Sequence, residues 1–364
     1  NEPGDEQAEV GRSMAVGDLT IDGIDDIAIQ LRNERGFSGD KARAGQVGVI
    51  HGDANLPATI DFDDGNVPDL RIHGAEAGDV IGDALDFDDF DGDGVDDVVI
   101  GISFADDSDD DGDGTLDRID MGEVSVVWGA WFTTGDVNLA NVPSSAFWTL
   151  RGENSGDGFG DSVDVGDIDG DGQPDLIAGS TFADVDIDED GTVDRVAAGK
   201  VHVRYGDGTL GPGASNPVAD LGDPQGADPP GPYSVIYGAA GGDAFGASMA
   251  VGNIDLDPFL THDEMVLSTP FKTVPDPDPD DPDDAGERPG GGALWLVTTY
   301  DNDGDGARNL TDNCPNTFNP NQVDDDGDLV GNFCDNCQSD ANRDQADNDL
   351  DGFGDVCDND DDED

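Results

Sequence analysis

The sequence predicts an all-β array of about four repeated units over residues 1–300, followed by an irregular tail over residues 301–364. Three observations carry this reading. Short apolar runs recur at Asp26 to Ile29, Asp97 to Ile100, Asp175 to Ala178 and Glu264 to Leu267, each with the length and pattern of a strand buried on both faces. A Gly-bounded segment precedes the runs at Gly11 to Gly17, Gly160 to Gly166 and Gly246 to Gly252, with Gly82 to Phe87 as a looser copy. From Asp301 onward the strand pattern stops, cysteines enter and Asn joins Asp.

Within each unit the first segment leads into an acidic loop of the form Asp-x-Asp-x-Asp-Gly-x-x-Asp. Carboxylates at alternate positions around a Gly-enabled turn wrap oxygens around a hard cation, for which calcium is the best fit. Asp89, Asp91, Asp93 and Asp97 take positions 1, 3, 5 and 9, with the carbonyl of Val95 at position 7. Asp167, Asp169, Asp171 and Asp175 do the same with Gln173. Asp18, Thr20, Asp22, Ile24 and Asp26 form a copy with one carboxylate fewer, and Asn253, Asp255, Asp257 and Asp263 form a stretched copy. These are not EF-hands, because position 12 is Ile29, Ile100 or Ala178 and the flanks read as strands. A third strand closes each unit at Val47 to His51, Val124 to Trp128, Val201 to Tyr205 and Leu294 to Val297.

The units recur about 70 to 85 residues apart, and the excess over a compact repeat lies between the second and third strands. In unit two that insert repeats the loop pattern with Asp109, Asp111, Asp113, Thr115 and Asp117; in unit three with Asp186, Asp188, Asp190, Thr192 and Asp194. In unit four it holds the alternating run Pro275 to Asp280, expected to be extended and solvated. In unit one it concentrates Arg32, Arg35, Lys41 and Arg43. That patch has two readings: docking on an acidic loop of a neighbouring copy, or offsetting acidic neighbours in the same domain.

Phe159-Gly160, Ser162-Val163 and Gly166-Asp167, with Asp169-Gly170-Asp171-Gly172 and Asp175-Leu176, resemble the FG-GAP repeat of integrin α-subunit propellers. Phe245-Gly246 repeats the start, whereas Gly82-Asp83 and Val10-Gly11 lack the Phe. The resemblance runs over roughly residues 10–300 and implies a β-propeller or propeller-like array of about four FG-GAP blades, with one calcium per blade hairpin. A closed four-blade ring, an incomplete ring, and a ring completed by unrecognised strands all fit.

In the tail three twelve-residue loops run end to end: Asp301, Asp303, Asp305, Ala307, Asn309, Asp312; Asp324, Asp326, Asp328, Val330, Asn332, Asp335; and Asp347, Asp349, Asp351, Phe353, Asp355, Asp358. Four cysteines allow three disulfide pairings, and a zinc site is the competing use. Asp312-Asn313-Cys314-Pro315, Asn319-Pro320-Asn321-Gln322 and Gly354-Asp355-Val356-Cys357-Asp358 resemble thrombospondin type 3 repeats. That resemblance implies the pairs Cys314 with Cys334 and Cys337 with Cys357, and a calcium- and disulfide-stabilised tail.

The formal charge of -71 over 364 residues opposes compaction and disfavours nucleic acid as a partner. About nine calcium ions would offset about +18 of it. A halophile's acidic surface is a second source of carboxylates, but it does not explain their fixed spacing. Disulfides and calcium at that level point to an extracellular location. The chain starts without Met or a signal peptide and holds no run long enough to span a bilayer, so it reads as a processed, secreted form. No catalytic motif appears, and the four scattered histidines read as ordinary strand or surface residues, so an enzyme is not expected. The expected role is a structural subunit of an extracellular assembly or filament, associating head to tail. The alternatives are an adhesion module binding a protein or glycan, and a non-catalytic module of a secreted hydrolase or lyase.

Overall fold

The computed structural model describes residues 9–32, 44–56, 59–60, 68–106, 118–186, 192–206, 208, 211, 218–221, 233–254, 263–275, 287–288, 292–297, 312–314, 317–343, 345–346 and 353–358. The chain divides into two compact units, Asn1–Leu296 and Val297–Asp364.

The first compact unit is built from antiparallel sheets that follow the sequence repeats. Unit one is β1 (Glu9–Gly17), β2 (Asp26–Arg32), β3 (Gln46–Ile50) and β4 (Leu70–His73). Unit two is β5 (Ala84–Asp88), β6 (Asp97–Ile102), β7 (Glu123–Val127) and β9 (Phe147–Arg151). Unit three is β10 (Phe159–Gly166), β11 (Asp175–Ser180), β12 (Lys200–Arg204) and β14 (Tyr233–Tyr237). Unit four contributes β15 (Met249–Gly252), β16 (Glu264–Thr269) and β19 (Ala293–Val297), and its insert holds the short pair β17 (Val274–Pro275) and β18 (Glu287–Arg288).

Two features go beyond the expected three strands per unit. Units one to three gain an outer fourth strand, β4, β9 or β14. Two sheets also gain a parallel edge strand from the following unit: β8 (Gly135–Asn138) adds to β4, and β13 (Val218–Asp220) adds to β9. Each third strand in units one to three starts and ends one residue earlier than expected, so His51, Trp128 and Tyr205 lie just past the strand ends.

The apolar core lies between sheets. One cluster joins units one and two around Val47, Val49, Ile81, Leu85 and Phe87; a second joins units two and three around Val124, Val126, Trp148, Phe159 and Val163. The first strands β1, β5, β10 and β15 pack side by side in that order. Close approach of backbones makes this possible. A Cβ on Gly101 would sit 2.0 Å from the Gly160 carbonyl oxygen, and one on Gly122, at φ +80, would sit 2.1 Å from that of Phe159. The Phe-Gly at the head of a unit therefore packs onto glycines of the preceding one, which gives the repeat a packing rationale. Gly101→Ala is expected to destabilise the protein by about 1–3 kcal/mol, because backbone and not a mobile side chain must give way; thermal unfolding beside wild type checks it.

Candidate metal centres

The acidic loops of units two and three share one local design. In unit two the Asp91 carboxylate accepts the Asp93 N–H (3.0 Å), Asp93 accepts Val95 N–H (2.9 Å), and Asp89 accepts Gly94 N–H (2.9 Å). In unit three Asp169 accepts Asp171 N–H (3.1 Å), Asp171 accepts Gln173 N–H (2.8 Å), and Asp167 accepts Gly172 N–H (3.0 Å). Each short bond curls the chain so that alternate carboxylates turn inward. The result is two groups, Asp89 with Asp91 and Asp93, and Asp167 with Asp169 and Asp175, whose oxygens lie within 4.8 Å of one another.

The position-9 acids anchor the loops to the sheets. Asp26, Asp97 and Asp175 open the second strands and are buried. One oxygen of each takes a loop N–H: Thr20 (3.1 Å), Phe90 (3.0 Å) or Ile168 (2.8 Å). The other takes the N–H of Gly52, Gly129 or Gly206, two residues past the third strand, at 2.7 to 2.8 Å. Burial, reinforced by Asp91 and Asp93 and opposed by its N–H bonds, pushes Asp97 up to about 8. Burial, together with Asp169, pushes Asp175 up to about 7.

Oδ1 of Asp89 and Oδ1 of Asp167 are buried and accept no hydrogen bond, and Thr20 Oγ1 is in the same condition. An unpartnered buried carboxylate oxygen is costly, and a cation in the loop removes that cost. The donor set is all oxygen, which fits a hard ion, and a 4.8 Å spread is what oxygens at about 2.3–2.6 Å from one ion can span. Asp97→Asn separates the two roles. It removes the charge but turns an amide N–H toward one of the two backbone donors, so it is expected to cost the metal-free protein about 1 kcal/mol and to weaken cation binding at least about tenfold; chelator melts and a calcium titration read the two effects.

Unit one keeps the loop path: Asp22 and Gly23 donate to Asp18, and Ile24 donates to Asp22. Unit four differs from expectation. The counterpart of Asp26, Asp97 and Asp175 is Glu264, which opens β16 opposite Gly252 and accepts Ile254 N–H at 2.6 Å. Asp263 instead reaches the previous unit, accepting Asp167 N–H at 3.2 Å, as Asp96 accepts Asp18 N–H at 2.7 Å. The sequence signal for Glu264 was its place at the head of the apolar run, which the stretched loop obscured. Asn253 is described, whereas Asp255 and Asp257 lie outside the described residues.

The unit-two insert site, Asp109, Asp111, Asp113, Thr115 and Asp117, lies outside the described residues, as do Asp188 and Asp190. Asp186, Thr192 and Asp194 flank the bridge between Val185 and Arg195, with Asp194 N–H donating to Val185. Of the basic patch, Arg32 ends β2, and Arg35, Lys41 and Arg43 are outside the described residues. His202 is buried edge-on against Phe159 at 5.2 Å, and burial lowers it to about 3, so it is a neutral packing residue.

In Val297–Asp364 the middle loop is described throughout. Asp324, Asp326 and Asp328 bring their oxygens within 4.8 Å of one another, and Oδ2 of Asp326 and of Asp335 is buried without a hydrogen bond. Val330 N–H donates to Asp328, while Asn332 accepts Asp325 N–H. Position 6 here is Leu329 at φ +75, where Gly23 and Gly94 hold φ +81 and +89 in the other loops. Leu329→Gly is therefore expected to stabilise the tail by about 1 kcal/mol, seen as a higher chelator concentration at half-unfolding. Of the ligand positions in the outer loops, Asp312, Phe353, Asp355 and Asp358 are described; Asp301, Asp303, Asp305, Ala307, Asn309, Asp347, Asp349 and Asp351 are outside the described residues.

Cys314 is bonded to Cys334 and Cys337 to Cys357, each across 20 residues, with no free cysteine. The zinc alternative is thereby removed. Around each bridge lies a polar hub that sequence reasoning missed. Gln322 bonds Asp312, Asn313 and Asn319, and Gln345 repeats this with Asp335, Asn336 and Asn342. The repeat of Asn-Cys with Gln eight residues after each Cys was the available signal. Asn342 N–H donates to Asp328 at 2.8 Å, linking the second loop to the following repeat.

No helix among the described residues is long and apolar enough to cross a membrane. No curated protein matches the chain. Residues 159–203, running from the head of β10 through the loop of Asp167 to Asp175 and into β12, match the FG-GAP repeat.

Proposed function

We propose that the chain is a secreted calcium-binding structural protein, a subunit of an extracellular assembly whose folded state depends on bound ions. The carrying observation is the pair of buried, unpartnered oxygens on Asp89 and Asp167, each a member of an all-oxygen cluster. Calcium is favoured because such loops offer carboxylates and a backbone carbonyl without nitrogen or sulfur donors. The FG-GAP match and the two disulfides support an extracellular setting. The tail is read as a thrombospondin type 3-like connector, its loops bridged by Gln322, Gln345 and the cystines. The reading is non-enzymatic: the patterned carboxylates are assigned to ions. Calcium added to dilute protein, followed by imaging, is expected to give ordered assemblies; monomers throughout, with the ions bound, would favour an adhesion module instead.

A further inference from the structure

The strand array ends in two apolar faces that are the two halves of its own internal interface. Units two and three each insert three head residues into the unit before: Ile81, Leu85 and Phe87; Phe159, Val163 and Val165. All six are at most 9 % exposed; in unit four Phe245 is buried while Met249 and Val251 are half-buried. The counterparts in unit one are Val10, Met14 and Val16, which are 46, 62 and 62 % exposed. Each unit also offers a third-strand face to the unit after it. Val47, Val124 and Val201 are 0 % exposed, as are Val49, Val126 and Val203, whereas the unit-four counterparts Leu294 and Leu296 are 74 and 56 % exposed.

The backbone repeats the pattern. Gly45, Gly122 and Gly199 each have positive φ, and a Cβ there would strike the next unit's Ile81, Phe159 or Phe245 backbone at 2.1 to 2.7 Å. Gly292, the counterpart before β19, has φ +73, but its nearest neighbour is Pro270 of its own unit at 3.2 Å. Gly166 is covered by Val251 of the next unit, while its counterpart Gly252 has nothing within 4 Å. Polar groups follow suit: Asp96 and Asp263 cap the preceding loop, and their unit-one counterpart Asp25 is exposed.

We infer that the unit-four face of one copy receives the unit-one face of a second copy, so that Val10, Met14 and Val16 bury against Leu294 and Leu296 as head residues do inside the chain. This rests on the assembly reading and specifies its contact. The interface is heterologous, so it propagates or closes a ring of copies. Both copies carry the same large negative charge, so association strengthens with calcium and with salt, opposite to a contact held by charge pairs. The acidic side chain before the head residues reports the spacing: Asp164 accepts Val251 N–H at 3.1 Å, and Asp86 accepts Val165 N–H at 2.9 Å. Position 250 of one copy therefore comes beside position 16 of the next.

The test uses the full chain in calcium. Two single variants, V16C and A250C, are mixed and oxidised, and the result expected is a crosslinked heterodimer. The exposed-site variant L294D/L296D is expected to raise the concentration for half-assembly at least tenfold while its circular dichroism matches wild type. Assemblies that persist in L294D/L296D without a 16–250 crosslink overturn the end-face contact and leave the subunit reading standing. A V16C/A250C double variant that crosslinks only within one chain overturns it in favour of ring closure. Monomers throughout overturn both.

Discussion

Stripped of divalent ions at pH 8, the protein is expected to lose the fold of Val297–Asp364 and to melt at least about 10 °C lower elsewhere. At free calcium ten to a hundredfold above the dissociation constant, each site contributes about 1.4 to 2.7 kcal/mol. Several such sites rival the 5–15 kcal/mol net stability of an ordinary domain. The pH dependence carries a definite sign. In the metal-free protein Asp97 and Asp175 are raised to about 8 and about 7, so the folded form holds more protons than the unfolded chain. That contribution is complete below about pH 4 and is lost as pH rises through 7 to 8. Relief of the negative charge at low pH acts in the same direction. With calcium the ligands ionise and protons compete less as pH rises, so binding strengthens towards pH 8. Melting curves at pH 5 and pH 8, with chelator and with calcium, are expected to cross in order. Curves that are superimposable with and without chelator at pH 8 would remove calcium from the account.

Reduction and alkylation of the four cysteines is expected to weaken calcium binding by the tail about tenfold or more. Each cystine closes a 20-residue loop, worth about 3 kcal/mol in the chain-entropy model. The bridges also hold the ligands' neighbours. Cys314 N–H donates to Asp312 and Cys337 N–H to Asp335, so a freed cysteine loosens the carboxylates that end the first and second loops. A calcium titration of the reduced protein that overlays the oxidised one would show that the loops are preformed without the bridges.

Much of this organisation was legible in the sequence because it is written in spacing. The acidic loops announce themselves by carboxylates two apart around a Gly, and the second strands by short apolar runs that follow at once. What stayed hidden depends on neighbours distant along the chain. The outer strands β4, β9 and β14 follow no acidic loop or Gly-bounded segment that repeats along the chain, so their pairing identifies them. The parallel additions β8 and β13 come from the following unit and carry almost no apolar signal. The lengthened loop of unit four hides Glu264, because counting along it arrives at Asp263 and not at the residue that pairs with Gly252. Gln322 and Gln345 are uncharged and carry no metal-ligand pattern, yet each ties an Asp, two Asn and the local backbone together. In the inserts and the outer tail loops, the spacing of carboxylates is what points to bound ions.

The proposed function depends on these carboxylates holding ions in the folded protein. Counting bound metal by native mass spectrometry, after dialysis against calcium and magnesium together, tests it most directly. About nine calcium ions per chain are expected, with the clusters at Asp89, Asp167 and Asp324 filled first and one ion lost when Asp89 or Asp167 is changed to Ala. A folded chain that retains no calcium under these conditions would contradict the proposed function.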